Sequence, residues 1–203
     1  MKILITGFEP FGGELVNPSL EAVQRLENYI GGAEIIKRSL PVVFQKSVDT
    51  LIGYVKSERP DAVVCIGQAG GVSGITVERI AVNLMDASIA DNEGCQPEDV
   101  PVCADGPNAY FSSLPVKRMV QTIKDNGLPA FLSNSAGTYV CNNTMYGLLH
   151  HIEQHYPAMR GGFIHVPYIP EQVLDKPGKA SMALGDIVKA TRIAISVIAS
   201  YAE

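Results

Sequence analysis

Apolar positions along the chain fall into short continuous runs, separated by stretches in which they recur every three or four residues. "KILITGF" at 2–8 is β-rich and ends near a glycine. "VNPSLEAVQRLENYI" follows it, with Asn17 as a helix N-cap and Pro18 at the first helical position, so strand, loop and helix are predicted in that order. "AEIIKRSLPVV" at 33–43 predicts a second strand, and Val48, Leu51, Ile52 and Val55 recur at helical spacing within 44–58. "DAVVCIG" at 61–67 is apolar almost throughout, as a strand buried on both faces must be. "ITVERIAVNLMDA" at 75–87 alternates and predicts a further strand.

The second half repeats the pattern. Residues 90–114 are rich in Asp, Asn, Gly and Pro and read as a long loop, which in a compact chain is expected to border a functional site. "LPVKRMVQTIKDNG" at 114–127 is an amphipathic helix stopped by Asn126 and Gly127. "PAFLSNSAG" reads as a strand, "CNNTMYGLLHHIEQHY" as a helix and "GGFIHVPYIP" as a last strand. From Gly178 a long helix is predicted to the end of the chain. Its apolar residues form two stripes, which calls for cover on two sides, the second from a partner subunit. Strands alternating with helices predict an α/β fold: a three-layer α/β/α sandwich around a mostly parallel, mixed sheet, with 1–203 as a single domain.

Composition narrows the classes. Of the 203 residues 46% are hydrophobic and 18% charged, the balance of a packed chain rather than a disordered one. The formal charge is −5 with no Lys/Arg run to follow a phosphate backbone, so nucleic acid is not an expected partner. The apolar stretch in "MKILITGFEP" is too short and interrupted for a signal peptide or a membrane span, and a cytoplasmic location is expected. Cys65, Cys95, Cys103 and Cys141 match neither a C-x-x-C pair nor zinc-ribbon spacing, so free thiols are expected.

Each candidate for chemistry has a plain reading beside a sharper one. Cys141 opens the helix that carries Met145, Leu148, Leu149 and Ile152 on one stripe, where it is either a buried filler or a thiolate favoured by the helix N-terminus. His150, His151 and His155 share one helix without the H-E-x-x-H pattern; they read as a solvated face, and no metal is expected. His165 lies near the C-terminal end of an apolar strand, where α/β sheets gather functional groups, although a core histidine fits there too. Glu78, which would share a face with Ile80 if 75–87 were one alternating strand, is either an outward carboxylate or a buried one that needs a partner. Together Cys141, His165 and Glu78 have the residue types of a Cys-His-acid triad. The loop "GFEPFGG" fits no phosphate-binding pattern but offers Phe8 and Phe11, either packed beneath the loop or facing a flat apolar pocket.

Taken in order, "TGFEPFGG", "VNPS", "GQAGG", "VERIAVN", "DNEGCQP", "SAGTYVCN" and "HVPYIPEQ" resemble the pyrrolidone-carboxylate peptidases, or type I pyroglutamyl peptidases, over nearly the whole chain. The resemblance implies a cysteine peptidase that removes an N-terminal 5-oxoproline from peptides without metal or organic cofactor. It implies Cys141 as nucleophile, His165 as general base and acid, and Glu78 as the group orienting His165. It further implies Phe8 and Phe11 as walls for the lactam ring, Asn17 bracing their loop, and Gln68, Ile89, Tyr139 and Val140 around the same pocket. The expected partners are N-terminally pyroglutamylated peptides, with a homotetramer as the assembly. There are departures from the pattern: Val72 and Ser88 stand where arginines are common, and Tyr139 stands where Phe is common, adding a hydroxyl that needs a partner if buried. The Ser88 departure keeps open a catalytically weak or inactive relative that binds oxoprolyl peptides. A nucleoside phosphorylase-like enzyme shares the broad architecture but would need a phosphate site, and no clustered Arg or Ser-rich glycine loop supplies one.

Overall fold

The computed structural model describes residues 1–201. The strands are β1 (Lys2–Phe8), β2 (Tyr29–Ile30), β3 (Ala33–Leu40), β4 (Ala62–Gln68), β5 (Ile75–Glu78), β6 (Ile80–Val82), β7 (Ala109–Phe111), β8 (Ala130–Ser133) and β9 (Arg160–Val166). The helices are α1 (Pro18–Arg25), α2 (Lys46–Glu58), α3 (Val116–Asp125), α4 (Val140–His155) and α5 (Leu184–Ser200).

Seven strands form one sheet in the order β2-β3-β1-β4-β9-β5-β8, and β6 pairs with β7 beside it. β3, β1, β4 and β9 run parallel; β5 is antiparallel to β9 and parallel to β8, and β2 is antiparallel to β3. The mixed, mostly parallel sandwich is therefore as expected. Period-two alternation sorts the central strands into two cores. Ile3, Ile5, Val64, Ile66, Ile164 and Val166 face α1, α3 and α5, while Leu4, Phe8, Val63, Cys65 and Phe163 face α2 and α4. Strands buried on both faces read as continuous apolar runs for this reason.

Several boundaries differ from the sequence reading. α1 stops at Arg25, and the apolar pair that extended its pattern, Tyr29 and Ile30, forms the short edge strand β2. The run 75–87 is two strands in two sheets: the chain leaves the main sheet at Arg79, and Ile80–Val82 pair with β7, which lies inside the segment expected to be all loop. Glu78 and Ile80 consequently do not share the face of one strand. α5 begins at Leu184 rather than Gly178, and the last two residues assigned to it lie outside the described residues. Its two apolar stripes are covered within the chain, because Ile187, Ile193, Ile195 and Ile198 all belong to the core shared with α1 and α3. A partner subunit is not needed to explain them.

The seating of α1 has a local cause. Asn17 Oδ1 accepts from the Ser19 amide at 3.1 Å, and Pro18 presets the first helical φ. The helix also approaches β1 so closely that a Cβ on Gly7 would lie 2.5 Å from Leu20 Cα, and only glycine fits.

Candidate functional site

The parallel strands β1, β4 and β9 end at the same edge of the sheet, where Phe8, Gln68 and His165 enclose a small cavity with the first turn of α4. The cavity measures about 110 Å³ and is lined by Phe8, Phe11, Asn17, Val42, Gln68, Ala136, Tyr139, Val140, Cys141 and His165. Sites for drug-sized ligands run to ~300–1,000 Å³, so this one admits a single small group. A wider cleft of about 310 Å³ lies at the opposite edge, between the turns that precede β4 and β9, and none of its lining residues is a Cys, His or Ser.

Cys141 is the second residue of α4 and half-buried, in contrast to Met145 one turn later, which is completely buried. The first N–H groups of the helix precede the one that bonds back to the Tyr139 carbonyl, that of Asn143, and so have no intrahelical acceptor. Asn142 fixes this turn against β6: its Oδ1 accepts from the Val82 amide at 2.9 Å, and its Nδ2 donates to the carbonyls of Val82 and Leu84. Close packing sets the sulfur from the other side. A Cβ on Gly67 would lie 2.8 Å from Cys141 Sγ and 2.8 Å from the Phe163 ring.

His165 Nδ1 lies 2.9 Å from Glu78 Oε1, with the two side chains 8% and 2% exposed. A carboxylate only accepts, so Nδ1 carries the proton and Nε2 is left for the thiol. Burial alone lowers His165, but the charge and hydrogen bond of Cys141, then those of Glu78, outweigh it and raise the group from 6.5 to about 10. Cys65 has a different fate: burial pushes it up to about 12, and it stays a core thiol between the sheet and α4.

Glu78 reaches His165 from below. β5 runs against β9, with Thr76 directly opposite His165 and Glu78 opposite Phe163. The carboxylate therefore sits two residue pairs deeper than the imidazole, away from the cavity mouth.

Phe8 is buried against Phe163, with ring centroids 6.1 Å apart, and Phe11 is half-buried beside Tyr139. Neither is a freely displayed aromatic. Asn17 donates to the Glu9 carbonyl at 3.0 Å, and its Oδ1 accepts from the Ser19 hydroxyl, which in turn accepts from the Phe8 amide. The brace on the Phe8–Phe11 loop is thus a chain of hydrogen bonds. Tyr139 donates its hydroxyl to the Ala90 carbonyl at 3.1 Å, and burial, then Asp91 and Cys141, push the phenol up to about 12. Gln172, from the turn after β9, donates to Gln68 Oε1 at 3.0 Å and leaves the Gln68 NH2 group unclaimed.

Two expectations need correction. Ile89 is 48% exposed and does not line the cavity, because the chain around it runs over the surface before Asp91 turns inward. The helical histidines form a solvated face only at exposed His155: His151 is buried, and His150 is half-buried with Nδ1 2.8 Å from the Tyr110 hydroxyl. Other participants carried no signal. Val42 and Ala136 line the cavity through backbone placement alone. Buried Asp91 accepts from the amides of Phe44, Glu93 and Cys95, while Asn92 bonds to the carbonyls of Val42 and Pro10, so the long loop clamps two cavity walls together.

A family model described as "Pyroglutamyl peptidase" matches residues 1–201. Among curated proteins, the pyrrolidone-carboxylate peptidase of Thermosipho africanus is 56% identical over 198 residues, covering 98% of this chain and 97% of its own. Pyrrolidone-carboxylate peptidase 1 of Streptococcus pneumoniae is 55% identical over 201 residues, or 99% and 94% of the two chains. Among solved structures, the pyroglutamyl peptidase I of Bacillus amyloliquefaciens superposes with a TM-score of 0.96 at 50% identity, covering 98% and 97%. A mutant pyrrolidone carboxyl peptidase from Pyrococcus furiosus gives 0.93 at 46% identity, covering 98% of each chain.

Proposed function

The chain belongs to the pyroglutamyl peptidase family and is a cysteine peptidase that releases N-terminal pyroglutamate, and we propose that Cys141, His165 and Glu78 carry the reaction. The observation behind this assignment is His165 set 2.9 Å from a buried carboxylate and sharing with a half-buried thiol at a helix start the wall of a cavity sized for one small ring.

In this reading His165 holds the proton from the Cys141 thiol, and the resulting ion pair is the resting nucleophile. The sulfur attacks the carbonyl that joins oxoproline to the next residue. The unpartnered N–H groups at the start of α4 receive the negative charge that develops on oxygen. His165 then protonates the departing amine through Nε2, water hydrolyses the thioester, and Nδ1 stays on Glu78 throughout.

Selectivity comes from what the cavity can and cannot satisfy. Phe8, Phe11 and Tyr139 offer apolar faces to a flat ring, Asn17 holds the loop that carries the two phenylalanines, and Val140 closes the wall beside the nucleophile. The Gln68 NH2 group, oriented by Gln172, is a donor suited to the lactam carbonyl. A charged N-terminal amine would lose its hydration without finding a carboxylate among the lining residues. Ile89, at the surface, has no place in this scheme. The intact sulfur, imidazole and carboxylate give no support to an inactive binding relative.

The finer points belong to the same proposal: residues 1–203 act as one peptidase domain, in the cytoplasm, as a homotetramer. A reducing compartment suits an enzyme with a free nucleophilic thiol. The exposed Leu15 and Leu174 are apolar surface that an assembly would cover. No helix among the described residues is long and apolar enough to cross a membrane. The decisive assay follows fluorophore release from an oxoprolyl amide, with a prolyl amide as control. Turnover of the oxoprolyl compound alone, abolished by Cys141→Ala and by iodoacetamide, supports the assignment. Turnover that survives Cys141→Ala would overturn it.

A further inference from the structure

We propose that His151 and His155, at the end of α4 away from the peptidase site, form a two-histidine site for a late divalent transition metal of the nickel and copper type. The two lie four residues apart and so one above the other on the helix, the spacing by which paired histidines hold zinc in the H-E-x-x-H pattern. The acid of that pattern falls one place late, at Glu153, which is bonded to Tyr110 on another face. The pair can therefore bind a metal without forming a hydrolytic centre. Cys141 opens the same helix, roughly 15–20 Å away at 1.5 Å per residue.

The ring geometry suits one shared ion. The imidazole centroids are 4.5 Å apart, with the planes at 58°. Metal–nitrogen bonds of ~2.0–2.1 Å place each centroid about 3.2 Å from the ion, so two rings bound at ~90° have centroids ~4.5 Å apart. Square-planar and tetragonal Ni(II) and Cu(II) hold neighbouring ligands at that angle. A separate observation points to a ligand. His151 is 9% exposed, yet its Nε2 has no hydrogen-bond partner among the described residues. A buried polar atom left this way is costly unless something bonds to it.

Access and charge are compatible with a cation. Helical side chains lean toward the N-terminus, so exposed His155 lies over His151, and a turn of that one surface ring opens the way in. Burial, then His155, Lys56 and His150, lower His151 and keep it neutral, the form that coordinates. Lys56 opposes a dication, but it is exposed and screened by solvent, while the negative end of the α4 dipole favours one. Among the described residues no third His, Cys, Asp or Glu joins the pair, so water completes the coordination.

The test is calorimetric titration of the tag-free protein with Ni(II) near neutral pH, beside His155→Gln. Nickel does not oxidise thiols, and the variant keeps all four free cysteines. One ion per chain is expected, bound ~10-fold or more weakly in His155→Gln, since loss of even an outer-shell partner of a ligand costs ~10–100-fold in metal affinity. Turnover of an oxoprolyl amide should be unchanged in this variant, because His155 is exposed and does not line the cavity. Equal affinity in wild type and His155→Gln would overturn the proposal, as would the absence of saturable binding. Binding lost in Cys141→Ala would place the ion on the peptidase thiol and overturn it as well.

Discussion

A single methyl group on Gly67 should separate catalysis from folding. The Cβ of Gly67→Ala would meet Cys141 Sγ at 2.8 Å and two carbons of the Phe163 ring at 2.8 and 2.9 Å. Ordinary contacts between such atoms need ~3.5–4.0 Å, so something must move by roughly 0.7–1.2 Å. The Phe163 ring cannot easily give way: it is fully buried, with Phe8 at 6.1 Å and His165 at 4.8 Å. The half-buried sulfur, able to turn about its own χ1, is the softer partner. The strain therefore falls on the distance between the nucleophile and His165.

A displacement near 1 Å costs on the order of 10²-fold in rate when the misplaced atom is the nucleophile. Overpacking adds about 1–3 kcal/mol of destabilisation, or roughly 2–12 °C in Tm for a chain of this size. Thermal unfolding and kcat on an oxoprolyl amide, measured side by side, read the two costs separately, and the rate of alkylation by iodoacetamide should fall with kcat. Gly53→Ala is the control, since a Cβ on that exposed mid-helix glycine of α2 would meet nothing within 4 Å. It should gain ~0.5–1 kcal/mol and keep its kcat. A folded Gly67→Ala enzyme with kcat within twofold of wild type would refute the claim that packing against β4 sets the sulfur.

Three further outcomes follow from the site. Glu78→Gln keeps an acceptor for Nδ1 but removes the charge that helps raise His165 while burial still lowers it, so the basic limb of the kcat/KM profile should move to lower pH. The sign for stability agrees: a group raised from 6.5 to about 10 stabilises the fold fully below 6.5 and loses that contribution between 6.5 and 10, so the fall in Tm over this window should be shallower in Glu78→Gln. Asn142→Ala strips three hydrogen bonds from the backbone of Val82 and Leu84, at the end of β6 and just beyond it, from a fully buried side chain, and should cost about 3 kcal/mol or more by chemical denaturation and slow the enzyme through the turn that carries Cys141. Gln172→Leu frees the Gln68 amide to turn, so KM for oxoprolyl amides should rise about tenfold with a smaller change in kcat, and the preference over prolyl amides should narrow in a competition assay.

What the sequence revealed, and what it hid, divides along a physical line. Properties that a residue imposes on its own neighbourhood could be read directly. The nearly uninterrupted apolar run of β4 announced a strand covered on both faces, and Asn17 with Pro18 announced the start of α1. Properties that depend on which distant segment lies opposite were not readable. Nothing between 75 and 87 says that the chain changes sheets at Arg79, since either pairing satisfies the same alternation. The end of α1 was missed for a similar reason: Tyr29 and Ile30 continue a helical stripe until β3 offers them a strand partner.

The site obeys the same division. Cys141, His165 and Glu78 were recognisable as types of residue, and a run of family motifs gave them roles, but their mutual geometry comes from strand direction. Glu78 ends its own strand, as His165 nearly does, which would put both side chains at the cavity mouth had β5 run parallel to β9. The reversal of β5 instead sets the carboxylate two residue pairs below the imidazole, where it is 2% exposed and accepts from Nδ1 from beneath. That placement leaves Nε2 pointing at the thiol and keeps a negative charge away from the substrate's path. It also explains why Val42 and Ala136 line the cavity without advertising themselves: they are brought there by loops that Asn92 and α4 position, and their side chains need only be small and apolar. A substitution in either loop that preserved size and polarity but broke the bonds from Asn92 to Val42 and Pro10 would loosen the cavity while every residue of the triad stayed in place.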